Sequence, residues 1–205
     1  ALPFLRKGYP VFLDKPVCIS KEDIAVLQNE VRQRDCIIAG GSGMQHNRSL
    51  KELKQLMDSG AVGGVKGISL NHNGDIDSPY GGIFFYACHG VEMMLQLLGK
   101  EPKSVQTNVL THDQFSIFVK YQDRFANLIM TSGYQDYFVN VYGEKRNIAY
   151  RIDADDIFRE TMVHFANRIR EHRITKSVDD LVRHVRVLQA TKTSIEKKTE
   201  VPVEK

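Results

Sequence analysis

From Val105 onward the sequence breaks into five strand-like runs, at residues 105–110, 115–121, 125–131, 137–142 and 147–152. Short polar turns such as Gln122-Asp123-Arg124 and Gly143-Glu144-Lys145 separate several of them, the pattern of an antiparallel meander. Runs as apolar as 115–119 and 125–130 cannot face water on both sides, so the strands must share one large sheet with a covered face. Two closing segments can cover it. Phe158, Met162, Phe165 and Ile169 line one predicted helix and are expected in the core. A second helix opens at Ser177-x-x-Asp180 and shows Leu181, Val185 and Leu188. The charged tail, residues 196–205, is expected to fray.

The front of the chain has a different period. Pro10-Val11-Phe12-Leu13 is a short apolar run closed by Asp14-Lys15-Pro16, and Cys36-Ile37-Ile38-Ala39 is a second one. Between them Ser20 stands where a cap accepts from the N3 amide, with Asp23 at N3 and Ile24, Leu27 and Val31 on one helical face. Strand, helix, strand is a parallel β-α-β unit, too small by itself to bury both faces of its sheet. Ser49-x-x-Glu52 then predicts a helix start, Leu50, Leu53, Leu56 and Met57 its apolar stripe, and Gly60 its stop. A strand over 65–70, a polar loop over 71–80 and a helix carrying Val91, Met94, Leu95 and Leu98 up to Gly99 complete the middle.

Composition excludes several classes. The 205 residues are 42% hydrophobic and 26% charged, ordinary for a folded globular chain and far from a disordered one. No stretch approaches the roughly 18 apolar residues of a membrane span. A net charge of +3 without a clustered basic face gives no argument for nucleic acid. Three cysteines with no C-x-x-C spacing read as reduced thiols of a cytoplasmic-type compartment, without a disulfide framework or zinc site.

Two places could carry chemistry. Lys15 follows the first strand, at the carboxyl end of a parallel sheet where open α/β sheets bind ligands. Partial burial there would lower its pKa into the range of proton chemistry, although on position alone a solvated lysine after a turn fits the pattern better. Pro16 is a candidate for a cis peptide bond that would fix where Lys15 points. His89 follows Gly81-Gly82 and the run Ile83-Phe84-Phe85-Tyr86, near the start of a predicted helix, and could shuttle a proton to or from a hydroxyl. A packed histidine with satisfied nitrogens is the competing reading. Glu92 lies one turn on and could orient the ring, while Cys88 reads as a small buried hydrophobe. The other histidines show no metal-ligand spacing with carboxylates or thiols. Gly40-Gly41-Ser42-Gly43 lacks the order of a phosphate loop and reads as a flexible exit from a strand, skirting a ligand.

Taken together, these pieces resemble the Gfo/Idh/MocA family, the glucose–fructose oxidoreductase and inositol dehydrogenase type of NAD(P)-dependent enzyme. The resemblance runs from about Gly8 to Ile195 and is carried by Tyr9-Pro10-Val11-Phe12-Leu13-Asp14-Lys15-Pro16, by Ser59-Gly60-Ala61-Val62-Gly63, and by residues 82–102. It implies the C-terminal end of a Rossmann-type parallel sheet (1–42) followed by an α+β substrate-binding and oligomerisation domain (43–205). That second domain is a large mixed, mostly antiparallel sheet with helices on one face. Asp14, Lys15 and Pro16 would match the family's Glu-Lys-Pro motif at the cofactor. Lys15 and His89 would be the catalytic pair, and Lys15, His46, Tyr86 and His89 would contact a sugar- or polyol-like substrate. The cofactor would be NAD or NADP, and the partner a second copy in a dimer or tetramer built through the large sheet. Phe85 stands where many members carry an Asp, four residues before the histidine, which points to a less polar substrate, different chemistry or reduced activity. No Gly-x-Gly-x-x-Gly turn occurs in the sequence, so these 205 residues alone are not expected to hold NAD(P) firmly. A non-catalytic binding or assembly module derived from the family is the alternative.

Overall fold

The computed structural model describes residues 1–133 and 136–204. A short helix, α1 (Leu2–Arg6), leads into β1 (Val11–Leu13), α2 (Lys21–Gln33) and β2 (Ile38–Gly40). β1 and β2 pair in parallel, Val11 with Ile38 through Leu13 with Gly40, so the β-α-β unit forms as the two periods predict. Ser20 caps α2 by accepting from the Asp23 amide, and Ile24, Leu27 and Val31 are buried beneath it.

A 3-10 turn (Gly43–His46) joins this unit to α3 (Arg48–Asp58). The α3 cap is not the expected Ser49. Asn47 takes that place because its side chain accepts from Leu50 N at 2.8 Å, and the Ser49 hydroxyl accepts from Asp153 N instead. β3 (Val65–Asn73) and α4 (Ile83–Leu98) follow, then β4 (Ser104–Thr111), β5 (Gln114–Lys120), β6 (Phe125–Thr131), β7 (Tyr137–Gly143) and β8 (Ile148–Ile152). α5 (Ile157–Arg170), α6 (Asp179–Lys197) and β9 (Val201–Pro202) end the chain.

The large sheet has seven strands in the order β8-β7-β3-β6-β5-β4-β9. It is antiparallel except where β3 runs parallel to β6. The expected meander is therefore interrupted: β3 enters between β6 and β7 and hydrogen-bonds to both. That pairing also carries β3 past residue 70, since Asn71, His72 and Asn73 stay in register with Ile129, Met130 and Thr131. Ile68, Leu70, Ile117, Val119, Leu128, Met130, Val139 and Val141 are buried on one face, where α4 and α6 pack. The apolar side chains of this face and of the parallel pair form one continuous core.

Three further expectations fail for physical reasons. The run 83–86 is the first turn of α4, so His89 lies two turns into the helix. α5 does not bury its apolar stripe: Phe158 is 78% exposed and Met162 46%, because the helix packs through Thr161 and through Phe165 against Phe12. The tail does not fray along its length. β9 pairs with β4, and Val203 N donates to Lys103 O at 2.9 Å; Lys205 lies outside the described residues. At α6, Ser177 accepts from Asp179 N one residue ahead of the N-cap Val178, a side-chain turn in place of a capping box.

Candidate active site

β1 ends at Leu13, which leaves Asp14 exposed and Lys15 half-buried at the carboxyl edge of the parallel pair. The Lys15–Pro16 peptide is cis. The Lys15 ammonium stands 3.1 Å above the centre of the Phe85 ring and 4.6 Å from that of Tyr86. Such contacts are worth about 0.5–2 kcal/mol, more as water is excluded. Among the described residues Lys15 makes no ion pair. Desolvation lowers its pKa from the usual lysine value, opposed by nearby Cys88 and Asp14. Tyr80 extends the ring cluster, 5.0 Å from Phe85, and Tyr86 meets Phe85 edge-on at 4.7 Å.

His89 lies four residues after Phe85 on α4, so both side chains project from one face of the helix. Its Nδ1 is 2.7 Å from Ser42 Oγ, which also accepts from Met44 N. Ser42 thus engages Nδ1 and holds the imidazole ring. Burial holds the His89 pKa well below the ordinary imidazole value, and the neighbouring His72, Lys15 and His184 push it the same way. His72 lies 5.3 Å from His89, stacked on Tyr137 at 4.4 Å, and burial lowers its pKa to about 4.

Behind this face lies a second buried group. Glu92 accepts from Gln96 Nε2 at 2.7 Å, and burial pushes its pKa up to about 6. The expected contact of Glu92 with the His89 ring is absent among the described residues; Ser42 holds that ring, and Glu92 stands 3.6 Å from His184 Nδ1. At 2% exposure, His184 has no hydrogen-bond partner on either nitrogen, and burial lowers its pKa to about 4. A Cβ on Gly41 would stand 3.3 Å from the His184 ring, so the glycine exit of β2 is close packing rather than slack. Cys88 is a buried thiol with its pKa raised to about 12, in keeping with a small hydrophobe, and all three cysteines are free and buried.

The structure therefore brings Asp14, Lys15, Pro16, Tyr86 and His89 around the junction of β1 and α4. His46 stands apart, stacked on His164 at 4.1 Å, and lines a cavity of about 250 Å³ with Gly40, Gln45, Arg168 and Thr175. Among the described residues no group of His, Cys, Asp and Glu could hold a metal ion, and no helix is long and apolar enough to cross a membrane.

Solved structures share this architecture. Scyllo-inositol dehydrogenase from Lactobacillus casei, with bound NAD(H) and scyllo-inositol, matches with a TM-score of 0.79 over 97% of this chain and 74% of its own, at 17% identity. GenD2 from gentamicin A biosynthesis, in complex with NAD, matches with a TM-score of 0.83 over 100% and 74%, at 17% identity. A myo-inositol dehydrogenase from Corynebacterium glutamicum ATCC 13032 gives 0.79 over 98% and 75%, at 14% identity. The chain has the fold of these dehydrogenases. No protein-family model matches the sequence, and no curated protein matches it.

Within this dehydrogenase fold, several residues of the site escaped the sequence reading. Ser42 sat in a segment read as flexible; its signal was the Ser-x-x-Gln start of the 3-10 turn. His72 lies on the buried alternation of β3, a position that only the strand's full length exposes. His184 falls one turn after Leu181 on α6 and carries no signal that separates it from a surface residue.

Proposed function

We propose that this chain provides the substrate-holding and proton-handling part of an NAD(P)-dependent dehydrogenase. It would move a hydride between nicotinamide and a hydroxyl or carbonyl carbon of a sugar- or polyol-like small molecule. One observation carries the reading: the Lys15 cation sits over a ring one helical turn before His89, so a half-buried ammonium and a part-buried, desolvated neutral imidazole share one neighbourhood. A neutral imidazole can accept the hydroxyl proton, and an adjacent cation stabilises the developing alkoxide.

The residues fit the nicotinamide end of the cofactor. The carboxyl ends of β1 and β2 carry Asp14-Lys15-Pro16 and Gly41-Ser42, and Gly81 lets α4's leading turn approach Pro16, where a Cβ would stand 3.4 Å from its ring. The sequence holds no Gly-x-Gly-x-x-Gly turn, and no residue here is assigned to the pyrophosphate. Bound, the cofactor supplies the hydride acceptor. Lys15 holds and polarises the substrate oxygen, His89 Nε2 takes its proton, and Ser42 keeps the ring in plane. In this reading residues 1–42 belong with a dinucleotide-binding part, while 43–205 hold substrate and assemble. Assembly into a homodimer or homotetramer would use the open sheet face, where Phe118, Phe125 and Tyr142 stack in series at 5.6 and 6.0 Å.

A second reading, a non-catalytic assembly module, draws on the same open face and on Phe85, which puts a hydrocarbon where a carboxylate would hold a polyol. The two are separated in the full-length gene product by NAD(H) and NADP(H) fluorescence titration, followed by turnover on sugars, inositols and hydroxy acids. Dinucleotide binding with turnover that falls at least about hundredfold in His89→Ala supports the dehydrogenase. Unchanged turnover in that variant removes the proposed base, and no dinucleotide binding at all favours the assembly module.

A further inference from the structure

The charge around Lys15 is unbalanced. His72 and His89 are held neutral and Cys88 is a protonated thiol. The buried carboxylate of α4, Glu92, is taken up by Gln96 and faces His184 rather than Lys15. Asp14 is exposed at the strand end. The position that touches the ammonium most closely is a phenyl ring. A half-buried cation with no ion pair among the described residues attracts an anion, and no carboxylate at position 85 would repel one.

The surrounding surface has a second property. Tyr80 is 68% exposed and Tyr86 40%, and both pack against Phe85 beside the ammonium. Flat apolar faces exposed next to a cation suit a ligand with an anionic head and a flat apolar body. Such a head would displace water from Lys15 while the body stacks on the tyrosines.

We propose that the surface where the end of β1 meets α4 takes a 2-hydroxy or 2-oxo acid with an aromatic or flat apolar side chain, its carboxylate and 2-oxygen both held by Lys15, its hydroxyl at His89 and its body on Tyr80 and Tyr86. This rests on the dehydrogenase reading for the fate of the hydroxyl. There, the C–H bond breaks with its electron pair going to the oxidised nicotinamide, the O–H proton goes to His89, and the carbon becomes the carbonyl of a 2-oxo acid. The carboxylate site itself needs only the residues present.

The test uses the full-length protein with three probes: 3-phenyllactate, its neutral primary amide, and myo-inositol. Calorimetric titration is run with and without NAD⁺, alongside NAD(H) binding and turnover. Phenyllactate is expected to bind at least about tenfold more tightly than its amide, the usual advantage of a charge-assisted contact. Lys15→Met should erase that difference. Phe85→Asp should weaken phenyllactate at least about tenfold and leave the amide within about threefold, while Phe85→Leu, which removes the ring without adding charge, should keep the preference. Equal binding of acid and amide, or a Phe85→Asp variant that weakens both alike, overturns the inference. If NAD(H) binds and only inositol turns over, the dehydrogenase reading stands and the acid inference falls. If phenyllactate binds through Lys15 but no dinucleotide binds, the acid site stands and the dehydrogenase reading falls.

Discussion

Replacing His184 with leucine should make the protein more stable, and more so in acid. The imidazole is 2% exposed, both its nitrogens lack hydrogen-bond partners, and burial lowers its pKa from 6.5 to about 4. An unsatisfied buried polar group costs about 1–3 kcal/mol, so His184→Leu, which fills a similar volume with apolar atoms, should gain about 1 kcal/mol at pH 7.5. As pH falls, the unfolded chain takes up the histidine proton at its ordinary pKa while the folded chain resists until about 4. Stability that is complete above pH 6.5 is therefore lost as pH falls through that window. Linkage puts the loss at about 2 kcal/mol by pH 5 and about 3 kcal/mol by pH 4. Glu92 acts in the opposite sense: its folded pKa of about 6 lies above the usual 4.5, so the folded chain binds its proton first and gains stability between those values as pH drops. Because Glu92 stands 3.6 Å from His184, the same comparison in a Glu92→Gln background isolates the histidine. Urea unfolding followed by far-UV circular dichroism should show the variant ahead by about 1 kcal/mol at pH 7.5 and by about 3 kcal/mol at pH 5. A gap that does not widen between these two pH values refutes the assignment of His184 as a buried, uncharged and unpartnered imidazole.

Gly82 has φ 59°, and a Cβ there would stand 2.8 Å from Ile76 O, so Gly82→Ala should lower stability by about 2 kcal/mol, read as a drop in Tm. Ser194, fully buried, accepts from Thr107 N and donates to Thr199 O; Ser194→Ala should cost about 2 kcal/mol in urea unfolding and loosen the β4–β9 edge to hydrogen exchange. If the Lys15–His89 site oxidises a hydroxyl, kcat/KM should stay flat through neutrality. The acid limb set by His89 should fall well below pH 6.5 and the alkaline limb set by Lys15 below 10.5, so an acid limb at 6.5 would contradict the desolvated imidazole. Phe118→Lys on the open sheet face should reduce the assembled mass by sedimentation without moving Tm by more than about 2 °C.

What the sequence conveys about this fold follows from where its signals are local. The capped helix after β1 and the parallel pair were legible because Ser20, Ile24, Leu27 and Val31 are set by hydrogen bonds and burial within one turn of each other. The intrusion of β3 between β6 and β7 was not, because Asn71, His72 and Asn73 read as loop and become strand only by pairing with residues nearly sixty positions away. The same division runs through the site. Lys15 and His89 were legible as residue types at telling positions. Their electrostatics were not, since the neutrality of His89 depends on desolvation and on His72, Lys15 and His184, which arrive from three separate elements or their ends. A hydrocarbon at position 85 makes sense only in that setting. Next to an ordinary solvated lysine it would be a misplaced core residue, whereas beneath a half-buried ammonium it covers the cation without neutralising it. The charge stays available to a ligand. A carboxylate at the same place would neutralise it, so a ring at position 85 bears on which charge the ammonium can attract before it bears on any reaction.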